Sequence, residues 1–213
     1  MSSLRQLLAA HAPLLVLDAA SARVQAGWFA ATDPASGRWA TADEEAGTGV
    51  FRCVEELGVD INAARAFVFC DGPGSVLGSR TTAMALRAWR VIAPRPIYAY
   101  HSLALVAESL AENDLTVIAD ARRELWHAQA RGGTLRRVPA GELRGALAMP
   151  ENFRHWSALP AGVRGVPYTL AEMFPRVAEA DLFRATDAPD AFLHEEPSYA
   201  TWTPQVHRAP GAR

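Results

Sequence analysis

The chain has 213 residues, is 50% hydrophobic and carries a formal charge of −2, with a pI near 6.3. That is enough apolar content for a sizeable core in one domain or two small lobes, and the charge balance excludes a global field that gathers nucleic acid or anionic membrane. All 21 basic residues are arginine, so no Walker-type phosphate lysine and no Schiff-base lysine exists. Cys53 falls in an apolar helical pattern and Cys70 closes an apolar strand, which predicts reduced, packed thiols rather than a disulfide framework. No apolar run approaches a membrane span, and His11 and Pro13 interrupt the stretch that a signal peptide needs. The expected compartment is the cytoplasm.

In chain order, Leu14–Asp18 is a continuous apolar run of the buried-strand type. Gly27–Ala30 and Arg38–Ala40 follow as strands around the Asp33–Gly37 turn cluster, which makes a meander. Val50, Phe51, Val54 and Leu57 form one helical stripe, ended by Gly58. Ala66–Cys70 is the next buried strand. A glycine-rich turn over 71–78 leads into a long helix that stops near Ile92, before Pro94 and Pro96. Ile97–Tyr100 reads as a strand and Ser102 as the N-cap of a helix with Leu103, Val106, Ala107 and Leu110 inward.

The pattern then partly repeats. Leu115–Asp120 is again an apolar strand ending in aspartate, Trp126–Ala130 returns beside it, and Gly132-Gly133 turns into Leu135–Val138. Asp18…Trp28 and Asp120…Trp126 read as equivalent points in two copies of one motif. After Pro139 only one helix is legible, over Leu170–Leu182, with Pro175 inside it. The predicted class is α/β: two similar lobes of mixed sheet flanked by helices, the first over 1–112 and a reduced second over 113–213, with the C-terminal tail expected to pack back on the first. That duplicated plan is the plan of actin-like ATPases.

The densest local signal is Asp71-Gly72-Pro73-Gly74-Ser75-Val76-Leu77-Gly78-Ser79-Arg80, between a buried strand and a helix. Two readings compete there. Glycines and a helix start suit an anion, and they equally suit a tight turn that sets the helix against its sheet. Asp18 and Asp120 read either as a carboxylate pair facing a cleft or as caps of their own turns. Gly72, Gly74, Ser75, Asp18 and Asp120 are therefore the candidate ligand-binding residues. Six arginines (Arg122, Arg123, Arg131, Arg136, Arg137 and Arg144) face only Glu124 and Glu142 in the same stretch, which suits tRNA phosphates or a solvated hairpin edge.

Gly72-Pro73-Gly74-Ser75 with Gly78 and Arg80 resembles the glycine loop of the TsaB (YeaZ) family. Val76-Leu77 replaces that family's Phe-Thr. Asp120-Ala121-Arg122 followed by Glu124 and Trp126 resembles its Asp-Ala-Arg hairpin, and the strand ending at Asp18, with Ser21 nearby, resembles its opening segment. Glu196-Pro197-Ser198-Tyr199 falls where the family has a Pro-x-Tyr-Leu-Arg stretch. The resemblance implies an actin-like fold with no catalytic residues, no metal and no cofactor of its own. A nucleotide is expected only at the interface of an assembled complex. It implies a scaffold that binds a TsaD-like catalytic subunit, with a TsaE-like ATPase, in forming threonylcarbamoyladenosine on tRNA. The chain is expected to pair with itself when alone and to meet tRNA only through the complex.

The metal pair of the catalytic relatives is a His-x-x-x-His. Here His101 is followed by Leu105, so the second ligand is missing. The interface implied by the resemblance lies on two helices, at Val50, Phe51, Val54, Leu57, Met84, Arg87, Ala88 and Trp89. Two other readings stand beside the scaffold: an independent actin-like phosphotransferase, and a divergent TsaB paralogue outside the pathway. A peptidase ranks last, since no Ser-His-Asp set or zinc motif is legible.

Overall fold

The computed structural model describes residues 1–194. β1 (Leu14–Asp18) pairs antiparallel with β2 (Val24–Phe29), which pairs antiparallel with β3 (Arg38–Ala42). β4 (Ala66–Gly72) joins the other side of β1 in parallel, and β5 (Ile97–His101) joins β4 in parallel. β6 (Leu115–Asp120), β7 (Leu125–Ala130), β8 (Arg136–Pro139), β9 (Ala146–Pro150) and β10 (Val163–Val166) form a second sheet. The order β5-β4-β1-β2-β3 recurs there as β10-β9-β6-β7-β8, with the same strand directions. β11 (Arg184–Ala185) adds antiparallel to the free edge of β5.

The two aspartates are equivalent, but the two tryptophans are not. Asp18 pairs with Gln25, and Asp120 pairs with Trp126, so the counterpart of Trp126 is Gln25 rather than Trp28. Trp28 lies opposite Leu15, three residues further along the strand.

Period-two alternation assigns the faces of the first sheet. Leu15, Leu17, Phe67 and Phe69 face α2 (Ala46–Leu57) and α3 (Val76–Ile92). Leu14, Val16, Val68 and Cys70 face a core shared with Leu115, Val117 and Ala148 of the second sheet. Three helices fill that shared core: α1 (Leu4–His11), α4 (Ser102–Leu110) and α5 (Leu170–Arg176). Among the described residues the second sheet has no counterpart of α2 or α3. A 3-10 turn at Ala140–Glu142 and a loop over 151–162 stand in their places, and its outer face is a small cluster around Trp126 and Val138.

Two expectations change, and one helix is new. Ser102 is not the N-cap of α4. It is the first helical residue, its hydroxyl donates to Pro73 O at 2.5 Å, and His101 holds the cap position without a side-chain bond. The helix from Leu170 ends at Arg176 rather than Leu182, because Pro175 has no N–H and its ring crowds the preceding turn. α1 was not read from the sequence, although Ser3 and Gln6 form a capping box and Leu4, Leu7 and Leu8 make its buried stripe. Cys53 and Cys70 are buried and unpaired, and burial raises the Cys53 thiol to about 11. Among the described residues no helix is long and apolar enough to cross a membrane.

Phe174 of α5 is fully buried where the lobes meet, with Trp39 at 5.2 Å, Tyr100 at 5.6 Å and Phe183 at 5.8 Å between ring centroids. Phe174→Ala is expected to cost about 3–5 kcal/mol. Urea unfolding followed by fluorescence and circular dichroism should move to lower midpoint as one transition, because the core is shared. Two separated transitions would mean that the lobes fold independently.

Candidate functional site

Asp18 and Asp120 end equivalent strands, yet their surroundings differ. Asp18 is fully buried. Its Oδ1 accepts Ala20 N–H at 2.8 Å, and its Oδ2 accepts the hydroxyls of Tyr100 and Tyr168, each at 2.6 Å. Burial raises the Asp18 pKa, against the opposing pull of those hydroxyls and the Ala20 amide. The Tyr100 and Tyr168 hydroxyls are likewise pushed well up, by burial first and then by the Asp18 charge. Asp18 is thus an internal tie between the first sheet and the segment that follows β10.

Asp120 lies at the cleft between the lobes and caps backbone. Its Oδ1 accepts Arg122 N–H at 2.5 Å, and its Oδ2 accepts the N–H groups of Trp156 at 2.6 Å and Ser157 at 2.7 Å. Partial burial opposes its ionisation, but these backbone donors outweigh it and hold the carboxyl below the usual range. The two aspartates therefore do not act as a facing pair.

The glycine loop packs against the turn after β1. A Cβ at Gly74 would fall 2.4 Å from Ala20 O, and one at Gly78 would fall 1.9 Å from Ala19 O. Ser75 N–H donates to Ala20 O at 2.7 Å, while its Oγ caps α3 by accepting Gly78 N–H at 3.1 Å. The glycines allow the turn after β1 to pack against the start of α3, which is the tight-turn reading of this motif. Gly72 and Asp71 lie one step back. The buried Asp71 carboxylate receives His101 Nδ1 at 2.9 Å and the Arg184 guanidinium.

A cleft of about 590 Å³ opens between the lobes, lined by these loops, by Glu44–Gly47, and by Asp120, Arg122, His127, Arg154, Trp156 and Phe192. The described end of the chain reaches it, since Phe192 N–H donates to Asp71 O at 2.7 Å and its ring meets His101 at 4.9 Å. Burial, helped by nearby His194, lowers His127 to about 4, so its ring is neutral at pH 7. Leu105 is buried in α4, and among the described residues no group of three or more His, Cys, Asp or Glu converges as a metal site. Tyr168, Trp156 and Phe192 were missed in the sequence, because distant segments bring the first to Asp18 and the other two to the cleft, and no local motif marks them.

The candidate interface residues divide. Val50, Val54 and Leu57 are buried in the first lobe's own core, because α2 lays that stripe on β2 and β3. They are core residues and offer no docking surface. Phe51 and Met84 are more than half exposed, Arg87 and Ala88 are exposed, and Trp89 is half-buried between Phe51 and Phe67. The exposed side of α3 continues beyond the named residues to Leu77 at 70% and Val91 at 86% exposure.

Comparison with solved structures addresses the fold. YeaZ from Pseudomonas aeruginosa matches with a TM-score of 0.53 and 18% identity, over 69% of this chain and 86% of that chain. The chain has a YeaZ-like fold. The crystal structure of an uncharacterized protein with similarity to peptidase YEAZ from Pseudomonas aeruginosa matches with a TM-score of 0.57 and 15% identity, over 81% and 88% of the two chains. No protein-family model and no curated protein matches the sequence. Two mixed sheets of one strand order, flanked by helices, make this YeaZ-like architecture actin-like. The segment Glu196–Tyr199, compared with the TsaB tail above, lies outside the described residues.

Two predictions follow from the loop and the buried carboxylate. Gly78→Ala should destabilise by about 2 kcal/mol or more, since backbone must move to admit the methyl; thermal unfolding measures it. The raised folded pKa of Asp18 means that its protonated form favours the native state. The stability it contributes is present near its unfolded value of 3.8 and is lost as pH rises through the raised folded value. Urea titrations of wild type and Asp18→Asn between about pH 3 and pH 7 should show the wild type losing ground to the variant with rising pH.

Proposed function

We propose that this chain is a TsaB-type partner subunit, which binds a TsaD-like catalytic subunit and supports formation of threonylcarbamoyladenosine on tRNA. In this reading it supplies no catalytic group, metal or cofactor. Any nucleotide sits at the interface of the assembled complex, where a TsaE-like ATPase also acts. Without its partner, the chain pairs with a second copy through the same face.

One observation carries the reading. Leu77, Met84, Ala88 and Val91 project from α3 at intervals of seven, four and three residues, and all are exposed. Thr81 completes the series. This is the heptad seam that a second helix packs against. Phe51 of α2, edge-on to Trp89 at 6.1 Å between ring centroids, extends the apolar surface sideways. A soluble chain gains nothing from leaving such a contiguous seam in water. The bond from Ser75 N–H to Ala20 O and the capping role of Asp120 point the same way, because each engages a group that the phosphate hairpins of an actin-like phosphotransferase would need. A partner helps catalysis by fixing another subunit's geometry, where small misplacements cost large factors in rate.

Met84→Glu tests this face without disturbing the core, since Met84 is 59% exposed. A charge buried in the seam should cost about 3 kcal/mol or more, or roughly a hundredfold in affinity. Analytical ultracentrifugation, alone and with the TsaD-like protein of the same genome, should show weakened association with an unchanged circular dichroism spectrum. Unchanged association of the folded variant would place the interface elsewhere.

A further inference from the structure

Where the first lobe runs its glycine loop into α3, the second lobe has the loop over 151–162. That loop places Trp156 on the rim of the cleft with 61% of its surface exposed. An indole left in water is unfavourable, and this one is held in place. Asp120 accepts the backbone N–H of Trp156 at 2.6 Å and of Ser157 at 2.7 Å, and it accepts Arg122 N–H with its other oxygen at 2.5 Å. The Arg122 guanidinium lies 4.0 Å over the Trp156 ring centroid. One carboxylate therefore fixes both halves of a stacked pair whose remaining surface is open.

The turn that carries Arg122 is itself unusual. Arg122, Arg123 and Glu124 all have positive φ, at 63°, 54° and 61°. Non-glycine residues avoid this region, and three in succession persist only where surrounding bonds over-determine them. Arg154 lines the same cleft. Among the described residues no carboxylate pairs with Arg122, Arg123 or Arg154. The facing wall is acidic, with Asp43, Glu44 and Glu45, of which Asp43 is paired with Arg23. A polyanion is thus repelled from the first-lobe wall and attracted to the second-lobe rim.

We propose that this rim binds single-stranded nucleic acid. One base stacks on the open side of Trp156, and the flanking phosphates meet Arg123 and Arg154. An aromatic platform beside unpaired guanidiniums is the pairing that single strands require, since every base offers a face and every link a charge. An acidic peptide would satisfy the arginines and leave the indole unused, and a duplex has its bases already stacked. This goes beyond contact with tRNA only through a partner, because the contact is built from this chain's own residues. It involves none of the α3 seam, so it stands or falls separately from the partner reading.

The test is fluorescence anisotropy of a fluorescein-labelled single-stranded RNA of about twelve nucleotides with the full chain, at roughly 50 and 200 mM salt. Saturable binding is expected, weakened about tenfold or more by Trp156→Ala and largely kept by Trp156→Phe. Arg154→Ala should weaken binding and flatten the logarithmic salt slope by about 0.7. A duplex of the same sequence should bind less tightly than the single strand. Trp156 is exposed, so these variants should fold. If circular dichroism shows that Trp156→Ala does not, Arg154→Ala and Trp156→Phe decide the outcome. Absence of saturable binding overturns the proposal, as does a folded Trp156→Ala that binds like wild type. Binding of polyglutamate in place of RNA overturns it as well.

Discussion

A carboxylate cut off from water has to be satisfied by the protein around it, and Asp18 is satisfied from both halves of the molecule. The Ala20 amide is its local partner, Tyr100 reaches it from β5, and Tyr168 reaches it from the segment after β10. Removing one partner of a buried charged or protonated acid costs far more than a surface contact is worth. The lobes are therefore tied through a polar point inside an apolar core. Gln25, the strand partner of Asp18, adds to the tie by bonding Tyr168 O and Leu170 N–H. With the turn after β1 held in this way, its backbone lies against Gly74 and Gly78, which sets the start of α3 against the sheet.

The same duplicated topology carries different loads in the two lobes. In the first, the crossovers contain α2 and α3, which cover one face of the sheet and leave an apolar seam outward. In the second, the crossovers have shrunk to a 3-10 turn and the 151–162 loop. Asp120 pins that loop in place of a helix. The α3 seam on one lobe and the Arg122–Trp156 rim on the other thus follow from how each lobe fills its crossovers.

Much of this was legible in the sequence, for physical reasons that differ from element to element. β1, β4 and β6 are buried on both faces, so their continuous apolar runs announce them. The glycines and prolines around α3 mark its ends. The two terminal aspartates revealed the duplication, although the tryptophans misled, because register depends on pairing and not on spacing alone. β9, β10 and β11 are short strands that take their identity from neighbours already in place, and nothing local marks them. The apolar stripe of α2 was read correctly as a stripe, but whether such a face meets its own sheet or a partner is set by tertiary packing. The sheet claims Val50, Val54 and Leu57, and Phe51 is left outside. Within the candidate site, the glycine loop was visible, while its packing against Ala19 and Ala20 was not, since that contact joins segments more than fifty residues apart.

The central claim is that this chain acts by shaping a partner and contributes no chemistry of its own. It is tested most directly by transfer of labelled threonine to tRNA in a reconstituted system of this chain, a TsaD-like subunit, a TsaE-like ATPase, threonylcarbamoyl-adenylate synthase and ATP, with each component left out in turn. The account predicts no transfer by this chain without the TsaD-like subunit, and loss of transfer when this chain alone is omitted. Transfer by this chain without the TsaD-like subunit, or full transfer in its absence, would contradict it.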